Sequence, residues 1–321
     1  MDALTGFLDG PRARGAFLLR SVLDPPWSLR ILDRAPITVV AVVRGRAWVL
    51  PDGGLAQSLA AGDIAVVRGP APYTVADDPA TGPQMIIHPG QHCTTVDGIS
   101  LVESMALGVR TWGNSATGPT VLLTGTYQHE GAVSRRLVDA LPGLVVVRRT
   151  EWDSPLIALL ADEVVRDDPG QEAVLDRLLD LLLVAALRVW FARPQTALPP
   201  WYLAHSDPVV GRALRLLQHN PGHPWTVAGL AAAAGASRAA LARRFQNLVG
   251  EPPMSYLGRW RLALAADLLL EPGATVGAVA HRVGYASAFT FSTAFKRLYG
   301  VSPRQHRDER QEAQAGSAGV R

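Results

Sequence analysis

One pattern of about thirty residues occurs twice in the last third of this 321-residue chain, and it limits what the chain can become. Thr226, Val227, Leu230, Ala231 and Gly235 recur as Thr275, Val276, Val279, Ala280 and Gly284, an offset of 49. Past the turn the offset is 50: Ser237, Phe245, Gly250 and Pro253 recur as Ser287, Phe295, Gly300 and Pro303. Matched glycines, caps and aromatics mark a duplicated unit. In the second copy Val276, Val279, Ala280 and Val283 recur at helical spacing and predict one short helix. Gly284 suits the left-handed residue that ends it, and Ser287 is placed to cap the next helix. There Phe291, Phe295 and Leu298 fall at i, i+4 and i+7 as a buried stripe. Gly300 and Pro303 stop it. Two short helices around a tight turn outline a helix-turn-helix, whose second helix can lie in a DNA major groove.

The stretch TVGAVAHRVGYASAFTFSTAFKRLYGVSPRQHR, residues 275–307, resembles the signature of the AraC/XylS family of bacterial transcription regulators. It carries VA..VGY.S...FS.AFKR..G.SP...R without gaps. The resemblance covers residues 207–307 and implies seven helices, with a long central helix holding two recognition helices in successive major grooves. That central helix is read over Met254–Leu270, with Tyr256, Leu257, Trp260, Leu264 and Leu268 as its apolar side. If each unit reads one groove, the separation of the two units must match about one duplex turn, roughly 34 Å.

By position relative to Phe245, the family's base-reading sites fall on Ala239, Ala242 and Arg243 in the first unit, and on Phe289, Ser292 and Thr293 in the second. Arg243 is the expected specific reader, bidentate to guanine, while the alanines offer only apolar contact, for instance with a thymine methyl. Relatives commonly carry arginine where this chain has Thr293, which argues against strong hydrogen-bond readout by the second unit. Phe289 either packs on bases or shields its helix. Arg238, Gln246, Lys296 and Arg297 complete the two exposed faces, and Ser237 and Ser287 are helix caps first and phosphate contacts second.

Charge agrees with this division. Residues 205–310 hold 13 Lys+Arg against 6 Asp+Glu, net +7, although the whole chain is only +3. The basic segment is the one bearing the repeat, as a phosphate-binding surface requires.

Upstream, short β-type runs alternate with turn residues from Pro25 onward: Ile37–Val43, Arg46–Leu50, Gly62–Arg68, Tyr73–Ala76 and Gln84–His88. This predicts a small antiparallel barrel or jelly roll. Residues 39–78, VVAVVRGRAWVLPDGGLAQSLAAGDIAVVRGPAPYTVADD, resemble the barrel of cupin-type domains that precede AraC-type DNA-binding regions. The resemblance implies an α+β two-domain chain: a cupin-like β-barrel that senses a small-molecule effector, and an all-α tandem helix-turn-helix. Trp27, Trp48 and Tyr73 are candidates to line the barrel, or to fill its core. Catalytic cupins draw metal ligands from a His-x-His pair, a Glu and a later His. No His stands between Met1 and Ile87, and Tyr73 falls near the later His, so no metal or cofactor is expected. A cupin-type metalloenzyme fused to DNA-binding helices is the competing enzyme reading. Cys93, the single cysteine, follows His88 and His92; it is a structural thiol or, alternatively, a redox sensor.

Residues 1–20 read as one or two amphipathic helices, and a polar helix is expected around Ala132–Leu141. From Pro155 the pattern is helical, with Leu156, Leu159 and Leu160 on one face. Gln171–Ala192 follows as a leucine-rich helix that packs on the barrel, pairs with its copy in a homodimer, or does both with different faces. The expected domains are 1–192 for sensing and coupling, 193–206 as linker, 207–307 for DNA binding and 308–321 as a disordered tail. Double-stranded operator DNA and a small effector are the expected partners, with RNA polymerase a candidate protein partner. With 48% hydrophobic and 18% charged residues, and no apolar run long enough for a membrane, a cytoplasmic protein is expected.

Overall fold

A computed structural model describes residues 16–127, 138–194, 200–271 and 273–308. These fall into two compact units, one within 16–194 and the other within 200–308. The expected tail from 309 onward and most of the helix expected around Ala132–Leu141 lie outside the described residues; Asp308 itself ends a helical stretch, 303–308.

In the first unit, β1 (Phe17–Leu23), β3 (Ile37–Arg44), β6 (Ile64–Arg68), β10 (Ala106–Gly108), β11 (Thr111–Trp112), β12 (Thr120–Tyr127) and β13 (Leu144–Val147) form one sheet. Its order is β10-β11-β1-β12-β3-β6-β13. A second sheet holds β2 (Ser28–Ile31), β4 (Arg46–Pro51), β5 (Gln57–Ala60), β7 (Tyr73–Ala76), β8 (Met85–Ile87) and β9 (Cys93–Thr95), in the order β5-β4-β7-β2-β8-β9. The expected barrel is therefore open: two sheets, antiparallel except for β1–β11 and β2–β8, enclose one core. Val40, Val42, Val67 and Leu122 of the large sheet meet Leu29, Val49, Tyr73 and Val75 of the small one.

Residues 1–15 of the helices expected over 1–20 lie outside the described residues, and from Phe17 onward a strand stands where a helix was expected. Phe17–Leu23 runs antiparallel to β12 over its whole length, Phe17 opposite Thr126 and Leu23 opposite Thr120. A short run such as FLLRSVL, with only Arg20 and Ser21 polar, does not fix its own period, and pairing decides it.

β3 and β12 are buried on nearly every residue, because the large sheet is covered on both faces. The outer cover is helical, α1 (Leu156–Glu163) and α2 (Gln171–Phe191). Leu179 of α2 sits directly over Gly125; a Cβ there would meet its Cδ1 at 2.3 Å. Tyr127 donates to Asp180 Oδ1 at 3.2 Å from the same strand. In α1 the buried face is Ile157 and Leu160, not the expected Leu156–Leu159–Leu160 face, since Leu159 is 47% exposed. The face of α2 that packs on the sheet is Leu175, Leu179, Leu182, Leu183, Ala186 and Leu187.

The second unit is helical: α3 (Pro200–Ser206), α4 (Val210–His219), α5 (Val227–Ala234), α6 (Arg238–Val249), α7 (Pro253–Leu268), α8 (Val276–Arg282) and α9 (Ala288–Tyr299), before the helical stretch 303–308. α3 places a helix, Pro200–Ser206, inside the stretch expected as linker, 193–206. Proline is tolerated at the first helical position, where the missing N–H would have no partner. Ala204, fully buried, joins the apolar cluster of α4 and α6.

Candidate nucleic-acid interface

Each helix-turn-helix is built by local bonds that the sequence prescribes. Thr226 caps α5 by accepting from Gly229 N–H, and Thr275 caps α8 by accepting from Ala278 N–H. Ser237 and Ser287 cap α6 and α9 by accepting from Ala240 and Thr290 N–H, both at 3.2 Å. Gly235, Gly250, Gly284 and Gly300 all sit in the left-handed region where the helices end. Leu241 and Phe245 bury one side of α6, and Phe291 and Phe295 one side of α9. The third member of the α9 stripe is corrected: Leu298 is 44% exposed, and Tyr299 packs on Phe295 instead, ring centroids 4.6 Å apart. His306 closes over the same ring at 5.4 Å, so the turn after Pro303 draws the stripe toward position 299.

The opposite faces are open. On α6, Arg238, Ala239, Arg243 and Gln246 are exposed and Ala242 is half-buried. On α9, Phe289, Thr293, Lys296 and Arg297 are exposed and Ser292 is half-buried. None of Arg238, Arg243, Lys296 and Arg297 forms an ion pair among the described residues. Arg244 differs. It binds Asp207 Oδ2 at 2.7 Å. Burial pushes the Asp207 carboxyl up, but the Val210 and Val209 N–H groups and Arg244 outweigh it and hold it below the usual range.

The rod α7 belongs to both halves. Tyr256, Leu257 and Trp260 enter the core of the first unit of the repeat, while Leu262, Ala265 and Ala266 enter that of the second. Sixteen residues give it a length of about 24 Å. Between those two sets stands Arg261, which sequence reading missed. Its Nε donates to Pro221 O at 2.6 Å and its Nη2 to His223 O at 2.9 Å, in the turn before α5. The same guanidinium lies against Gly284, where a Cβ would stand 2.8 Å from Nη2 and 2.9 Å from Gly222 Cα. One side chain thus ties the rod to the first motif and touches the turn of the second. Burial pulls its guanidinium below the ordinary value.

In the sheet unit the three aromatic candidates do not share a surface. Trp27 and Tyr73 lie in the core, 0% and 5% exposed. Trp48 is half-buried on the other face of β4, because Ala47 and Val49 take the inward positions. An open groove of about 1000 Å³ does exist elsewhere, between the β4–β5 turn and the segment from Leu144 to Glu151. Arg148 and Arg193 line it; Arg193 binds Glu151 through both carboxylate oxygens at 2.7 Å. Neither arginine stands in a motif, so only distant pairing reveals them.

Cys93 is 5% exposed, and burial raises its thiol to about 11, which leaves little thiolate near neutral pH. His88 Nε2 is bonded to Thr94 Oγ1 at 3.0 Å. Among the described residues no group of three or more His, Cys, Asp or Glu is arranged to hold a metal ion. No helix among them is long and apolar enough to cross a membrane.

A two-sheet β unit and a helical unit with a duplicated helix-turn-helix define the class, a two-domain protein. Residues 2–192 match the family profile described as Cupin, and residues 230–309 the one described as Helix-turn-helix domain. An AraC-like transcription regulator of Streptomyces lividans is 31% identical over 315 residues, covering 96% of this chain and 98% of the relative. Another, of Streptomyces antibioticus, is 30% identical over 316 residues, with the same coverage. The HTH-type transcriptional regulator AlkR of Acinetobacter baylyi is 26% identical over 315 residues, covering 96% of this chain and all of the relative. The chain belongs to the AraC family of transcription regulators, with a cupin-type N-terminal domain.

Proposed function

We propose that this regulator reads its operator through the exposed faces of α6 and α9, under the control of a small effector held by the sheet unit. The observation that carries the reading is the pair of capped helices, each with cations free of ion pairs among the described residues, clamped through α7 and Arg261. Arg243 is the guanine reader of α6, with Ala239 and Ala242 beside it and Arg238 and Gln246 at its ends. Lys296 and Arg297 bind phosphate behind α9. Ser237 and Ser287, already engaged as caps, contribute phosphate contact second.

Arg243→Ala is expected to weaken operator binding by roughly 1–3 kcal/mol and to relax specificity at one base pair, whereas Lys296→Ala weakens operator and random DNA alike. Titrations of both DNAs at fixed salt test this; equal losses on both for Arg243→Ala would remove its assigned role.

The groove carrying Arg148 and Arg193 supports effector binding at the rim rather than at Trp27, Trp48 and Tyr73. An effector shifts the regulator only by its differential affinity for the two states. Val174 and Leu181, 43% and 49% exposed on α2 away from the sheet, support a homodimer through that helix. The family and the basic reading faces favour action in the cytoplasm and no enzymatic role. Cys93→Ser is expected to leave operator binding unchanged before and after peroxide treatment, as its buried, protonated thiol requires. A mutant that lost an oxidant response shown by the wild type would restore the redox reading.

A further inference from the structure

We infer that the two recognition helices read chemically different half-sites, and that α9 recognises thymine through its 5-methyl group rather than by hydrogen bonds. The inference rests on the DNA-reading role of α9 and deepens it.

Consider what α9 can offer a base. Its first two turns, residues 288–295, run AFTFSTAF and contain no guanidinium, ammonium, amide or carboxylate. The bidentate pairs that single out guanine or adenine in the major groove are unavailable to such a face. Two of its three hydroxyls are already engaged, those of Thr290 and Thr293. Thr293 Oγ1 donates to Phe289 O at 3.0 Å, one turn back. Thr290 Oγ1 is bonded to Ser287 Oγ at 3.0 Å, and that Oγ also accepts from Thr290 N–H. Ser292 is half-buried beside the core stripe. What remains outward at the leading end is Phe289 and the γ-methyls of Thr290 and Thr293.

Phe289 is 82% exposed, whereas the other phenylalanines described in this unit, Phe245, Phe291 and Phe295, are fully buried. Phe289 and Thr293 are one turn apart and so stand on the same face. Lys296 and Arg297 follow on the same side at the far end, where they can meet phosphate. An apolar tip backed by cations fits the one apolar group that a base pair displays in the major groove, the thymine methyl. α6 has the complementary equipment: Arg238, Arg243 and Gln246, able to donate to guanine or pair with adenine. The operator is therefore expected to be asymmetric in chemistry, guanine-bearing under α6 and thymine-bearing under α9.

The test uses the full-length protein and an operator selected by it from genomic fragments, with the bases under each helix mapped by protection. Each thymine in the α9 half-site is replaced by deoxyuridine, which removes the methyl and leaves every hydrogen-bonding group. One buried methyl corresponds to about a four-fold change in Kd, so a loss of that order is expected at one or more positions. In Phe289→Ala, whose stability should be unchanged, the operator binds less tightly and the deoxyuridine penalty disappears. Phe289→Leu restores part of both. Specific operator binding with no deoxyuridine penalty anywhere in the α9 half-site overturns this inference alone. Failure to bind any fragment above random DNA overturns it together with the DNA-reading assignment.

Discussion

Phe295→Ala is expected to destabilise the second helix-turn-helix by about 3–5 kcal/mol, the range for removing a buried aromatic ring. Phe295 is fully buried and sits at the centre of a ring cluster, with Phe291 at 5.5 Å, Tyr299 at 4.6 Å and His306 at 5.4 Å. It shares its core with Ala265 of α7 and Val279 of α8, and with Leu269 and Val283 that follow those helices. Small domains hold only about 5–15 kcal/mol in total, so the loss is a large share of what keeps α9 folded. Each kcal/mol corresponds to a fall in Tm of roughly 4–8 °C in a domain of this size. Thermal melts and operator titrations should fall together. Phe289→Ala, on the exposed side of the same helix, supplies the control and should melt with the wild type. A Phe295→Ala protein as stable as its parent would mean that the ring cluster does not hold the motif.

The second large effect concerns Gly284. Its φ of +89° is open to glycine and strained for any β-branched residue. Added atoms would also strike the Arg261 guanidinium at 2.8 Å and the Gly222 backbone at 2.9 Å. Gly284→Val is expected to cost about 1–3 kcal/mol in backbone strain and to push Arg261 off Pro221 and His223. Each motif retains its own core, but the fixed relation between α6 and α9 is lost. Binding to the two-groove operator should fall about 100-fold, roughly 2.7 kcal/mol, while binding to an isolated α6 half-site changes little. Gly277→Ala is the matched control: a Cβ there meets nothing within 4 Å, and alanine suits a helix interior. Equal losses on full and half operators for Gly284→Val would remove the coupling argument.

These two residues also mark what could be read in advance. The repeat was legible because its signals are local. Thr226, Ser237, Thr275 and Ser287 cap helices through a residue three positions on, and Phe245 and Phe295 follow the helical period. Gly284 was legible as a helix end, but not as the seat of Arg261. That arginine bonds to residues 38 and 40 positions away, and nothing in its neighbourhood announces it. In the sheet unit, β3, β4, β6 and β7 stood out by their apolar runs and turns. β1 did not, because seven residues fit either period until β12 pairs with them. Trp48 was misjudged because a lone aromatic in a strand carries no label for its face; the inward places had gone to Ala47 and Val49. α3 was hidden by its prolines, which punctuate a sequence strongly yet are harmless at a helix start.

Arg261 holds two peptide oxygens, not a carboxylate. Those acceptors have no proton to gain as pH falls, so acidification leaves the clasp intact. The Asp207–Arg244 pair is of the other kind. Asp207, held below its ordinary value, contributes above that value and lets go as pH drops through the folded one. Only acid strong enough to reach below the ordinary carboxylate range should therefore loosen the start of α4, while the calliper that sets the pitch between the two reading heads keeps its opening.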